Sequence, residues 1–438
     1  ESDRGRVLFS PAFRRLQQKA QVFSMEPNAA VRSRLTHSFE VSQLGRYLAD
    51  EIGQRLDASI IDSVDQSALV NFVETACLMH DIGNPPFGHF GEAAIQEWFQ
   101  INGKECLSNS LGKSIEELDL ISRPNWILSD FYEFDGNPQG FRIVTRLQWN
   151  NDHYGLNLTK TSLASFLKYL RLPGEKSDGI FLKKPGFFGT EADIVAEVWK
   201  EFGYELPTRF PLTYIMEAAD DIAYCLSDLE DSFEKEVIHM ETAFPMIKEM
   251  YLAGNFSNDD VGHKYIYDAL MLMSDPKGGC TFIDFRTKLN NLIVRYAADR
   301  FVARLEGILQ GDPISLLPDD EPPGYMLEVL KKYCRKYVYT HESIQRIELA
   351  GYNAIFGLLN QFKPLIFASH DRFKAILGGA KGDSSQQRIL IEPKLLKLIA
   401  PKYLKVYEHQ VKGDITPCQE WNARAHLVVD FISGMTDD

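Results

Sequence analysis

Apolar residues along this chain recur at helical spacing. From Arg34 to Leu56 the stripe runs through Leu35, Leu44, Leu48, Ile52 and Leu56, with His37 and Val41 on or beside it, which predicts an amphipathic helix. SALVNFVETACLMHD repeats the pattern through Val70, Val73, Ala76 and Cys77, and His80 follows on the same face. LTYIMEAADDIAYCLSDLED repeats it through Ile215, Ala219, Ile222, Leu226 and Leu229. MLEVLKKYCRKY and IELAGYNAIFGLLNQF are helical in pattern as well. Gly83, Pro85 and Pro86 stop the second helix, because proline has no N–H to give and its ring collides with the preceding turn. Alternating strand patterns are few and no fixed-period repeat appears. The expected fold is therefore all-α.

Boundaries are faint. The Gly-, Pro- and charge-rich stretches 172–191 and 309–325 read as loops, and neither is long or simple enough for a flexible linker. The expectation is one domain over 1–438, with a helical core at about 30–235, inserted lobes and a helical C-terminal lobe at about 240–438.

Composition narrows the class. A 438-residue chain with 45% hydrophobic and 12% aromatic residues can bury a large core. No apolar run approaches the roughly 20 residues that cross a bilayer, and the opening ESDRGR carries no apolar signal segment. Six scattered cysteines without a CxxC pair favour reduced thiols and a cytoplasmic protein. A net charge of −14 argues against nucleic-acid binding driven by overall charge. Local basic clusters remain: Arg14, Arg15 and Lys19; Arg32 and Arg34; Lys183 and Lys184. Each alone reads as a solvated face.

The chemistry lies where helical stripes carry ionisable groups. His37, His80, Asp81 and Asp220 would each be costly in an apolar interior without a partner, and a divalent cation would satisfy all of them. Two imidazoles with two carboxylates suit Mn, Fe, Co, Ni, Zn or Mg, with an octahedral Mn- or Fe-type site the chemical expectation. In CLMHDIGNPPFGHFGE the Gly/Pro/Phe turn returns the chain into a new helix, so that Glu92 lies three residues beyond His89 on one face. A histidine oriented by a carboxylate is an acid/base pair. The bland alternative is that Glu92 favours the positive end of its helix while His89 packs on Phe87 or Phe90, but beside a metal cluster the acid/base reading is preferred.

The H…HD…D pattern, together with FRRLQQKAQVF, RLTHS, CLMHDIGNPPFGHFGE, FDGNPQGFRIV, MEAADDIAYCLSDLED, IELAGY and DFISGMTD, resembles the bacterial deoxyguanosine triphosphate triphosphohydrolases (dGTPases) of the HD superfamily of metal-dependent phosphohydrolases. The resemblance runs from the first residue to the last. It implies an HD-type helical core and hydrolysis of dGTP to deoxyguanosine and inorganic triphosphate by attack at the α-phosphorus, in control of dNTP pools. It also implies one divalent ion, Mn²⁺ or Mg²⁺, held by His37, His80, Asp81 and Asp220, the last rather than Asp221. His89 would act at the phosphorus with Glu92 as partner, as base or as nucleophile. Tyr224 would pack on the sugar, Gln21 would contact its 3′-hydroxyl, and Arg34 would contact phosphate. Asn157, Lys184 and Glu348 resemble further pocket residues. Near RILIEPKLL, where the family has arginines reaching the pocket, some from a neighbouring subunit, Arg388 matches but Lys394 replaces an arginine and would weaken a bidentate contact. The family also implies a homo-oligomer, a hexamer built from dimers, with single-stranded DNA as an effector. Other readings are a broader dNTP triphosphohydrolase, an HD phosphodiesterase or 5′-nucleotidase, and a metal-stabilised single-stranded nucleic-acid binding protein.

Overall fold

A computed structural model describes residues 1–114, 116–117, 126–149, 152–273, 281–378 and 391–438. Among them the chain is helical and holds no strand, only the isolated bridges Ala20 to Ser33 and Arg171 to Pro185. The all-α expectation therefore holds. The helices that place the site are α1 (Arg34–Arg55), α2 (Ser63–Met79), α3 (Gly88–Leu111), α4 (Gly136–Arg142), α5 (Pro211–Glu234), α6 (Pro322–Tyr337), α7 (Glu342–Phe367) and α8 (Pro417–Ser433).

Local chemistry sets their ends. Ser33 accepts from Thr36 N while the Thr36 side chain accepts from Ser33 N, a capping box that starts α1 one turn before His37. Asp62 caps α2, and Pro211, whose fixed φ suits a first helical position, starts α5. α7 outruns its predicted span at both ends, reaching Phe367 through Pro364.

Two hydrophobic cores lie side by side. One gathers Val41, Leu48 and Ile52 of α1, Val73 and Cys77 of α2, the apolar face of α5, and helices between 240 and 338. The other gathers Trp98 and Phe99 of α3, Phe131, Phe141, Leu359 of α7 and Val428 of α8. The cores do not part the chain at one point: segments after residue 340 return to pack on α3. α2 spans the seam. Its Val73, Ala76 and Cys77 face the first core and its Leu78 and Met79 the second, so its last turn delivers His80 and Asp81 between the two. No helix of the described residues is long and apolar enough to cross a membrane.

Candidate active site

α1 packs against both α2 and α5, and the three carry the cluster His37, His80 and Asp220. One ligand atom from each lies within 4.8 Å of the others. Asp220 Oδ1 stands 3.6 Å from His37 Nε2 and 3.4 Å from His80 Nε2. Both imidazole Nε2 atoms are buried without a hydrogen-bond partner, as is His37 Nδ1. Each such orphan costs about 1–3 kcal/mol unless a ligand satisfies it. His80 Nδ1 lies 2.7 Å from the Cys77 carbonyl, which can only accept, so the proton sits on Nδ1 and the Nε2 lone pair faces Asp220. This mixed nitrogen and oxygen donor set fits a divalent cation.

Asp81 is placed differently. Its Oδ2 lies 3.7 Å from His80 Nε2 and accepts from Arg34 Nη1 at 2.6 Å, so it borders the cluster with Arg34 upon it. Burial opposes its ionisation, but His80 and Arg34 outweigh that and hold its pKa down to about 2. Burial likewise opposes the charges on His37 and Asp220. Asp220, Asp81 and Asp228 nevertheless raise the His37 pKa, while His80, Lys168 and His37 push Asp220 well below the usual carboxylate range. Asp221 lies apart from the cluster and accepts from Lys331 at 2.9 Å.

The turn after α2 is compact because Gly83 has no side chain: a Cβ there would lie 2.0 Å from the Gly136 carbonyl and 2.1 Å from Gly140 N. That contact brings the FDGNPQGF segment, which leads into α4, against the turn that precedes His89. The turn ends at Phe87, whose φ of 59° is left-handed. His89, on the first turn of α3, donates from Nδ1 to Glu92 Oε2 at 2.7 Å, and Glu92 Oε1 accepts from Gly136 N at 2.7 Å. Glu92 is buried while the His89 ring is 83% exposed. The Glu92 hydrogen bond and charge raise the His89 pKa, against the opposing charges of Lys184 and Arg34.

A cavity of about 810 Å³ joins these groups, within the ~300–1,000 Å³ typical of small-molecule sites. Gln21, Arg34, His80, Asp81, His89, Glu92, Lys184, Asp220, Tyr224 and Glu348 all line it. Gln21 Oε1 is buried with no partner. Lys184 Nζ donates to Asp135 Oδ2 at 2.6 Å. Burial raises the Glu348 carboxyl pKa, with His89 pulling the other way. Asn157 does not reach the cavity: it sits exposed on a loop with φ 50°, and its carbonyl accepts from Arg6 Nη1 at 2.5 Å. Lys394 is exposed on the helix Glu392–Leu398, also outside this cavity, and Arg388 lies outside the described residues.

Several cavity residues escape a sequence reading. Asp228 lies one helical turn beyond Tyr224, which lies one turn beyond Asp220, so a stricter reading of the i, i+4 face of DDIAYCLSD would have found it. Tyr224 and Tyr339 hydroxyls meet at 2.6 Å, and Tyr339 donates to Asp228 Oδ2 at 2.5 Å. Asp228 Oδ1 is buried and unpartnered, and burial pushes the Asp228 pKa up to about 7 against the Tyr339 hydrogen bond. Lys168, Lys331 and Arg335 also line the cavity and join Lys183 and Lys184, the one local cluster the sequence showed there, in giving it a basic side.

Comparison with known proteins places this geometry. The HD domain family model matches residues 34–144, a span that contains His37, His80, Asp81, His89 and Glu92. The deoxyguanosinetriphosphate triphosphohydrolase of Enterobacter sp. (strain 638) is 37% identical over 468 residues, covering 100% of this chain and 91% of that protein. The protein of that name from Yersinia enterocolitica is 37% identical over 474 residues, and that from Cronobacter sakazakii 35% over 469, each with the same coverage of both chains.

Proposed function

The chain belongs to the deoxyguanosinetriphosphate triphosphohydrolase family, and from that premise we propose how its cavity performs the hydrolysis of dGTP. The observation that carries the reading is the oriented His89–Glu92 pair lining the same cavity as His80 and Asp220, which His37 joins from behind the cavity wall in one cluster.

Formation of intact triphosphate requires the oxygen of water to bond to the α-phosphorus while the bond to O5′ breaks, leaving O5′ to take up a proton. Donation from Nδ1 to Glu92 leaves Nε2 as the basic nitrogen of His89. There it takes the proton of the attacking water and returns it to O5′. Glu92 and the Gly136 amide fix the ring, so little reorganisation accompanies the transfer. His37, His80 and Asp220, with Asp81 beside them, would hold a divalent ion, Mn²⁺ or Mg²⁺ in this reading, which when bound would supply polarisation of a phosphoryl oxygen.

Arg34, Lys168, Lys183 and Lys184 offset triphosphate charge, a provision that a monophosphate or cyclic substrate would need far less. Tyr224 packs on the sugar, its ring fixed through Tyr339 to Asp228, and Gln21 offers its unpartnered oxygen nearby. Glu348 is a further substrate contact of the same cavity, close enough to His89 for their charges to interact. A role in dNTP pool control, a cytoplasmic location, assembly into a hexamer and a response to single-stranded DNA complete the proposal.

The test is a product assay: purified protein with each of the four dNTPs and GTP, plus Mn²⁺ or Mg²⁺, with nucleoside and phosphates separated by ion exchange. Deoxyguanosine and triphosphate, formed from dGTP far faster than from the rest, are expected. Hydrolysis of all four dNTPs would keep the mechanism and relax the specificity. Monophosphate or free phosphate as product would overturn the reading.

A further inference from the structure

Resting on the assignment of His89 and Gln21 above, we infer that Asp437 is a positioning residue for the reaction, a clasp that sets both substrate-facing segments. Its carboxylate is 93% removed from solvent, at 7% exposure, and lies outside the cavity lining. Oδ1 accepts from Phe87 N at 3.0 Å and Oδ2 accepts from Ala20 N at 2.9 Å. One side chain therefore fastens the amide two residues before His89 to the amide immediately before Gln21. The Asp437 N–H closes the loop by donating to the Gln18 carbonyl at 3.0 Å.

Lys19 reinforces the same junction. Its buried ammonium donates to the Asn84 carbonyl at 2.6 Å and to the Ser433 carbonyl at 2.8 Å, joining the turn after α2 to the end of α8. Three segments far apart in sequence thus meet over two side chains.

The clasp falls where the backbone most needs it. Phe87 adopts a left-handed φ that a residue with a Cβ rarely holds, and its own side chain offers no cap to the helix that begins there. The Asp437 carboxylate oxygen at the Phe87 amide satisfies an open helix-start donor at the positive end of the helix. Without it the turn has a cheaper conformation available, and His89 moves with the turn. Displacement of a proton-transfer group by about 1 Å is enough to cost a large part of the rate.

The experiment compares wild type, Asp437→Ala and Asp437→Asn by steady-state kinetics on dGTP, by the pH profile of kcat, and by hydrogen exchange with mass spectrometry. Asn keeps one acceptor oxygen but turns an amide N–H toward the other backbone N–H. Expected for Ala are faster exchange confined to peptides covering 18–23 and 85–92, a kcat reduced about tenfold or more, and an acid limb displaced to lower pH as the His89–Glu92 pair loosens, with Asn intermediate. Local exchange that quickens while kcat and the acid limb stay at wild-type values would overturn the positioning role, and unchanged exchange would overturn the clasp. If Ala loosens the whole chain, the Asn variant decides by the same criteria. Should the wild-type chain release no triphosphate, the functional reading fails while the exchange measurement still judges the clasp.

Discussion

His89 donates from Nδ1 to Glu92 across 2.7 Å, and that bond sets both the tautomer and the basicity of the imidazole. Glu92 raises the His89 pKa, so neutral His89 is reached only at correspondingly higher pH. Replacing Glu92 by Gln removes the charge and lowers that pKa, which moves the acid limb of kcat/KM to lower pH. The same change loosens the ring and lowers kcat by roughly 10²-fold, within the usual worth of acid/base catalysis. The pH-rate profiles of both proteins, recorded at saturating metal, check the sign. An unmoved limb would detach Glu92 from His89 chemistry.

Direct attack by His89 at the α-phosphorus, with O5′ leaving as deoxyguanosine, would leave a covalent triphosphoryl adduct on the imidazole, which a proton carrier never forms. Quenched turnover analysed by intact-protein mass spectrometry is expected to show no adduct on the wild-type chain.

Tyr224 is fixed by Tyr339 and Asp228, which gives its ring a defined edge against a sugar. An apolar wall alone rejects an added hydroxyl by about 100-fold at most. Tyr224→Ala is expected to raise activity on GTP relative to dGTP, and Tyr339→Phe to do so less, because the ring is retained but released. A GTP to dGTP ratio that does not change would remove Tyr224 from sugar discrimination.

Metal binding should be visible as stability. Millimolar Mn²⁺ at about 100 times its Kd adds about 2.7 kcal/mol to the folded state by mass action, and excess EDTA withdraws it. In Asp220→Ala the cluster loses the carboxylate shared by His37 and His80, so the Mn²⁺-induced rise in Tm should disappear. Scanning calorimetry with and without metal reads this independently of turnover.

Gly351 is a packing requirement of the site. A Cβ on it would lie 2.2 Å from Cγ of Phe87, the residue that starts the His89 turn. Gly351→Ala should therefore destabilise by about 1–3 kcal/mol, the range for overpacking, despite the better helix propensity of alanine. Chemical denaturation measures it, and a stabilised variant would show that Phe87 yields freely.

The sequence by itself determined the helices and most of the ionisable groups of the site. Apolar residues at helical spacing dictated α1, α2 and α5 because each helix must bury one stripe, and His37, His80 and Asp220 were conspicuous because polar groups on such stripes need partners. His89 and Glu92 were legible as a pair since three residues on a helix bring side chains together. Only the tertiary structure decided what depended on residues distant in the chain. The pairing of Arg34 with Asp81 spans 47 positions, that of Lys331 with Asp221 spans 110, and that of Phe87 with Asp437 spans 350. Asn157 was given to the cavity by likeness of sequence, yet its loop turns away, because loop direction is set by long-range contacts such as the one from Arg6. Local periodicity reports which face of an element is buried; which distant group waits on the other side of that face is fixed when the two cores close around the seam.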